Sequence, residues 1–328
     1  PAMAEVYKII SKDELYSIAG LQEMTFNTVF QVMADKVNRP EILEKADRLL
    51  FMPQLLSFML TGEPAAEYTI CSTSAMIDAQ TRQWSDELIE RLGFPRRIFG
   101  KVQMPGTQAG SYNGIPVYLP GGHDTASAVA AVPALDTTKN WAYISSGTWS
   151  LIGAELDEPN LSAAAAEANF TNEGGIGGKI RFLKNVNGLW LIQECRRIWK
   201  EQGETLSFAE IAAVAEDTSF ASRIDPNDLR FQAPENMVLE IQAACRESDQ
   251  EIPESVGQVA RCCYESLAQA YSQQLTALSK LAGTPFDVLH VVGGGCQATL
   301  LNQLTANCCG IPVITGPVEA TAIGNICV

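Results

Sequence analysis

The chain has 328 residues, 46% of them hydrophobic and 19% charged, which fits a globular protein too long for one compact core. Its 38 acidic against 23 basic residues give a formal charge of −15, which argues against nucleic acid and against an anionic membrane surface as partners. A small phosphorylated ligand stays compatible, because backbone amides and a metal ion hold phosphate without net positive charge.

In chain order, residues 1–110 read mainly as helix. Leu21, Met24, Val29, Met33 and Val37 recur at helical spacing over 21–37, and Asn38-Arg39-Pro40 stops that helix. A second apolar segment, 48–62, is interrupted by Pro53 and closed by Gly62, and 85–93 is a short helix ended by Gly93. At Ile115 the texture changes: IPVYLP reads as a strand, GGHD as a turn and TASAVAAV as a helix start. WAYISSGTWSLIG (141–153) reads as two strands folded about Gly147-Thr148, and 174–190 as a glycine-rich turn, a strand and a helix running on through Gln193 and Cys195. The segment 203–240 carries no clear pattern. A long amphipathic helix over 254–283, ended by Gly283, leads to the buried strand DVLHVV (287–292), the run Gly293-Gly294-Gly295, a helix capped by Gly310, the strand IPVITG and one more helix. This alternation predicts a parallel or mixed sheet covered by helices, with a domain seam near 133–140. No signal peptide and no apolar run of transmembrane length is read.

Nine cysteines, Cys71, Cys195, Cys245, Cys262, Cys263, Cys296, Cys308, Cys309 and Cys327, include no CxxC, and His123 and His290 stand apart from any pair suited to zinc. Reduced thiols of a cytoplasmic enzyme are expected; Cys245 and Cys262 could pair across a loop, but nothing demands it. Both ends read as cut, with PAMA at the start and AIGNICV inside a helix, so a piece of a longer chain is expected.

Three stretches bear on chemistry. In Gly121-Gly122-His123-Asp124-Thr125, Asp124 is either a helix cap or a general base, with even weight on pattern alone. Ser145-Ser146-Gly147-Thr148 is either a plain hairpin turn or a phosphate clamp of amides and the Thr148 hydroxyl. The triple glycine at 293–295 lacks the GxGxxG fingerprint, with Ala298 at the sixth position, yet three glycines exceed what a tight turn needs. GGIGGK (174–179) lacks the Walker spacing, and no G-x-S-x-G elbow occurs.

Jointly, GGHDTASAVAAVP, YISSGTWSLIG, FTNEGG, LKNVNGLWLIQE and VVGGGCQATLLNQLTANCCGIPVITGPVEATAIGN, in that order, resemble the FGGY family of carbohydrate kinases, as does FMPQLLSFMLTGEPAAEYTICSTSAMID before them. The resemblance implies an α/β, actin/hexokinase-type (ribonuclease H-like) two-domain sugar kinase with an incomplete first domain. It makes 1–135 the remainder of an N-terminal sugar-binding domain and 136–328 a truncated C-terminal nucleotide-binding domain, with ATP and sugar in the cleft between domains. It implies Asp124 as the proton acceptor for the sugar hydroxyl, with His123, Asp124 and Thr125 contacting the sugar. Thr148, Asn185, Gln193 and Gly294 fall at ATP-site positions. The implied cofactors are ATP and Mg²⁺, with metal ligands unknown, and the implied partners are the sugar and ATP, in a monomer or weak homodimer. The nearest branch implies phosphorylation of L-rhamnulose at its 1-hydroxyl in L-rhamnose breakdown. Alternatives are another sugar of the family, as in a fuculose kinase, or a non-catalytic sugar- or nucleotide-binding module. A nicotinamide dehydrogenase built on the glycine run is disfavoured by the missing fingerprint. The family's opening phosphate hairpin, whose acidic residue helps place Mg²⁺, has no counterpart here, so these residues alone are expected to be inactive.

Overall fold

The computed structural model describes residues 2–136 and 138–328 and divides them into two compact units. Unit 1 comprises residues up to 131 with 154–184 and 320–328; unit 2 comprises 132–153 and 185–319. The expected seam at 133–140 contains Thr137, and the expected cut start contains Pro1; both lie outside the described residues.

In unit 1, helices α1 (Lys12–Ala19), α2 (Thr28–Asn38), α3 (Met52–Thr61) and the single turn α4 (Tyr68–Cys71) precede a hairpin of β1 (Gln108–Tyr112) and β2 (Ile115–Tyr118), then α5 (Asp124–Ala130). The core of this unit gathers Val29, Phe30, Met33, Tyr68, Leu88 and Ile89, all essentially buried. The helix expected over 21–37 begins only at Thr28. The Asn27 side chain accepts from the Met24 amide at 2.8 Å, which ties 24–27 into a turn that the apolar spacing of Leu21 and Met24 does not reveal. Pro53 does not interrupt its helix but sits in the first turn, where its missing N–H costs nothing. The strand expected before GGHD forms, but it pairs antiparallel with β1 in a two-stranded sheet of its own, not at the end of a larger sheet.

Next come β3 (Trp141–Ser146), β4 (Trp149–Leu156), β5 (Thr171–Gly174), β6 (Ile180–Asn187), α6 (Trp190–Glu201), α7 (Phe208–Glu216), α8 (Met237–Glu247), α9 (Val256–Ala282), β7 (Val288–Val292), α10 (Thr299–Cys309), β8 (Val313–Thr315) and α11 (Ala320–Cys327). In unit 2 a mixed sheet runs β8-β7-β3-β4. β7 pairs in parallel with β8 (Leu289 opposite Val313) and with β3 (Leu289 opposite Ala142), while β3 and β4 form an antiparallel hairpin with Ile144 opposite Ile152. Every residue of β7 is buried, His290 included, as its short, β-branched, mostly apolar run predicts. The long helix α9 starts in a capping box of Ser255 and Gln258 and ends at Gly283, whose φ of 71° is left-handed. Back in unit 1, β5 and β6 pair antiparallel, and α11 packs on α5.

All nine cysteines are free, Cys245 and Cys262 among them, and both of these are buried. No helix of the described residues is long and apolar enough to cross a membrane.

Gly324 explains how α11 reaches α5: a Cβ there would lie 1.7 Å from the Ser127 carbonyl oxygen. We expect Gly324→Ala to destabilise unit 1 by about 1–3 kcal/mol, the range for overpacking a tight contact. A melting temperature equal to that of the parent would contradict this account of the contact.

Candidate functional site

The GGHD bend is built from groups far apart in sequence. His123 is the N-cap residue of α5 and Asp124 its first helical residue. Asp124 does not cap its helix through a remote amide. Among the described residues its Oδ1 accepts only from the next residue, from the Thr125 N–H at 2.6 Å and the Thr125 hydroxyl at 3.3 Å. The rest of the carboxylate faces solvent, with 79% of the side chain exposed. The Thr321 hydroxyl of α11 donates to the Asp124 carbonyl at 3.3 Å.

His123 lies 3.5 Å from Asp124, Nδ1 to Oδ1, and Nδ1 makes no hydrogen bond. Its side chain is only one-fifth exposed (20%). Burial, and then the positive charge of Arg181, hold the imidazole below its usual 6.5, so His123 is neutral near pH 7. Arg181 is wholly buried in β6; it donates to the Gly174 carbonyl at 2.8 Å and pairs with Glu173 at 2.9 Å.

In unit 2 the Gly147-Thr148 turn docks on the start of α6. Leu189 and Trp190 donate their N–H groups to the carbonyls of Gly147 and Thr148, both at 3.1 Å. The exposed Thr148 hydroxyl then reaches Gln193 Oε1 at 3.3 Å, so the structure brings together two of the residues singled out in the sequence. Gln193 and Gly294 line one cavity of about 560 Å³, with Gly147, Phe208, Ala212 and Tyr264 among others, whereas Thr148 does not. Asn185, on β6, is half-buried and does not line this cavity.

The three glycines now separate by role. Gly293 has a left-handed φ of 84°. A Cβ on Gly295 would lie 1.9 Å from the Ser146 hydroxyl oxygen, so only glycine lets this turn lie on the end of β3. A Cβ on Gly294 would meet nothing within 4 Å: this residue opens onto the cavity.

Sequence reasoning missed Glu67, which is buried to 1% exposure and accepts a hydrogen bond from the Gly122 N–H at 3.0 Å. Burial pushes its carboxyl up, opposed by donors from Thr69, Ile70 and Gly122. The acidic residue inside the apolar-aromatic stretch AAEYTIC (65–71) was the available signal. A second cavity missed in the sequence, about 710 Å³, lies in unit 1 among Tyr7, Lys12, Tyr16, Gln22, Asn27 and Asn169. Among the described residues no group of three His, Cys, Asp or Glu side chains is placed to hold a metal ion.

Comparison with known proteins places both parts of the chain in one family. Residues 1–129 match the N-terminal domain of the FGGY family of carbohydrate kinases, and 142–328 match its C-terminal domain. The chain belongs to the FGGY family of carbohydrate kinases. It is 46% identical to a rhamnulokinase of Bacteroides thetaiotaomicron over 97% of this chain and 66% of that protein. It is 44% identical to a rhamnulokinase of Oceanobacillus iheyensis over 99% of this chain and 70% of that one. The chain thus spans about two thirds of the length of these curated relatives. The crystal structure of gluconate kinase from Lactobacillus acidophilus superposes with a TM-score of 0.76 at 14% identity, over 99% of this chain and 68% of that one, which supports the actin/hexokinase-type fold.

Two outcomes test this geometry. The His123 imidazole, followed by NMR, titrates with a midpoint below 6.5. Because protonation is disfavoured only in the folded state, the neutral ring's contribution to stability is complete above that value and lost as pH falls below it. A midpoint at or above 6.5 contradicts the buried, cation-flanked setting. Within the glycine run, Gly295→Ala lowers stability by about 1–3 kcal/mol whereas Gly294→Ala leaves thermal unfolding unchanged. Equal effects at the two positions would refute their separation.

Proposed function

We propose that the protein carrying this chain transfers the γ-phosphoryl group of ATP to the 1-hydroxyl of L-rhamnulose, as part of L-rhamnose breakdown in the cytoplasm. The observation that carries the reading is the similarity to curated rhamnulokinases at 42–46% identity over at least 97% of the chain. Unit 1 is the sugar side, with Asp124 as proton acceptor and His123 and Thr125 as contacts to the sugar. Unit 2 is the nucleotide side, with Thr148 at the phosphates, Gln193 and Asn185 along the nucleotide, and Gly294 against the adenosine.

Phosphoryl transfer proceeds through a loose transition state, so the protein contributes mostly position and electrostatic stabilisation. An exposed carboxylate, oriented from one side by Thr125, suits a general base: one oxygen is held and the other is free for the sugar hydroxyl. As the hydroxyl oxygen attacks phosphorus, its proton passes to Asp124. The neutral His123 offers the sugar a donor or acceptor without adding charge. The Gly147-Thr148 turn and the flat Gly294 surface suit phosphate oxygens and a base that needs no side chain beneath it. Mg²⁺ usually binds through one or two carboxylates plus substrate phosphates, so the lack of a three-ligand cluster among the described residues is compatible with an ion that arrives on ATP and neutralises phosphate charge. A monomer or weak homodimer completes the reading.

In the protein that carries this chain, Asp124→Asn should cut sugar-dependent ADP release by about 10²–10⁴-fold, the usual share of a general base, while ATP affinity stays unchanged. Near-parental turnover would remove Asp124 from its role. A sugar panel tests the substrate: stimulation by L-fuculose but not by L-rhamnulose would transfer the assignment to another kinase of the family. Binding of sugar with no phosphorylated product would favour a non-catalytic module.

A further inference from the structure

We infer that Glu67 and Thr69 are positioning residues that fix the bend carrying Asp124, through two successive backbone N–H groups. This rests on the reading of Asp124 given above. Glu67 Oε1 accepts from the Thr69 N–H at 2.7 Å, and Oε2 accepts from the Thr69 hydroxyl at 2.7 Å, the Ile70 N–H at 3.1 Å and the Gly122 N–H at 3.0 Å. Thr69, with no exposed surface, accepts from the His123 N–H at 3.1 Å.

Proton counting makes the arrangement directional. A hydroxyl has one proton, and that of Thr69 is committed to Glu67, so its oxygen is left to accept from His123. Glu67 faces four donors and no acceptor, a set only a carboxylate satisfies in full. Glutamine at this position would turn its NH₂ towards at least one of those donors whichever way it flipped. The approach is close: a Cβ on Gly122 would lie 2.6 Å from Glu67 Oε2, so the glycine admits the carboxylate to the backbone. The carbonyl of Gly121 is tied as well, by the Ser127 hydroxyl at 2.9 Å, and that of Asp124 by Thr321. The backbone from Gly121 to Asp124 is thereby held by Glu67, Thr69 and Thr321 from other elements and by Ser127 from α5 itself, while the Asp124 side chain stays open to solvent. A base whose backbone cannot shift keeps its oxygen where an attacking hydroxyl needs it, and a displacement of about 1 Å can cost about 10²-fold in rate.

The test compares Thr69→Val, which keeps the shape and removes the hydroxyl, with Thr69→Ser, which keeps the hydroxyl, and with Glu67→Gln. In the protein that carries this chain, Thr69→Val and Glu67→Gln should lower kcat towards sugar by about 10–10²-fold with KM for ATP unchanged, and Thr69→Ser should retain most of the rate. Amide hydrogen exchange reads the holding itself: the His123 amide should exchange at least about 10-fold faster in Thr69→Val, while the amides of α9 keep their protection. Parental kcat in Thr69→Val, an equal loss in Thr69→Ser, or unchanged exchange at His123 would overturn the inference. If the parent proves inactive on every sugar, or Asp124→Asn keeps full turnover, the reading of Asp124 fails instead, and the exchange comparison still decides whether Glu67 and Thr69 hold the bend.

Discussion

Where a backbone must lie against a neighbouring group, no side chain fits between them, and this steric constraint recurs at each place the candidate chemistry occupies. A Cβ would lie 1.9 Å from Ser146 at Gly295, 1.7 Å from Ser127 at Gly324, 2.6 Å from Glu67 at Gly122 and 2.7 Å from Trp149 at Gly188. The Ser127 and Trp149 atoms are backbone, while the Glu67 carboxylate and the Ser146 hydroxyl are side-chain ends, the carboxylate held in place by four hydrogen bonds. Gly295 seats the glycine turn on the end of β3, Gly324 seats α11 on α5, Gly122 admits the Glu67 carboxylate, and Gly188 lets the start of α6 lie against the Gly147-Thr148 hairpin. Each glycine costs backbone entropy in the unfolded chain. What it gives in return is a short, rigid bend that presents polar groups at an element's end.

Unit 1 adds buried charge to this. Arg181 and Glu173 form an ion pair at 2.9 Å with essentially no solvent around the guanidinium, and Glu67 is buried under four donors. Such groups are expensive to desolvate, and apolar residues of similar volume often stabilise as well or better. Their presence beneath one bend is therefore weak evidence for stability. It is better explained by geometry: charged acceptors and donors have strict hydrogen-bond requirements, so they admit one arrangement of the neighbouring backbone.

Legibility from sequence followed locality. β7, α9 and α10 were readable because their signals lie within a few residues: a short apolar, β-branched run, an amphipathic spacing, and Gly283 and Gly310 at the C-termini. The late start of α2 was not readable, since it depends on one Asn27 side chain choosing the Met24 amide over its own helix. The pairing of β2 with β1 was hidden for a different reason: an apolar tetrapeptide says that it is a strand but not which strand it joins. The bend and the glycine run were visible as motifs, and family resemblance gave them meaning. The partner that holds the bend was invisible, because Glu67 and Gly122 stand 55 residues apart with no periodicity linking them.

The question of why a histidine precedes the aspartate has a physical answer in the burial of the ring. A cation next to a carboxylate stabilises its ionised form and so weakens it as a base. With Nδ1 only 3.5 Å from Asp124, a protonated His123 would be that cation. Burial removes the water that would solvate an imidazolium, and the charge of Arg181, set in the adjoining β6, adds repulsion. The imidazole stays neutral beside the carboxylate, so in its proposed role it offers a hydrogen bond without adding a positive charge that would weaken Asp124 as a base. Position and protonation are thus set by separate groups: Glu67 and Thr69 act on the backbone, and Arg181 and burial act on the ring.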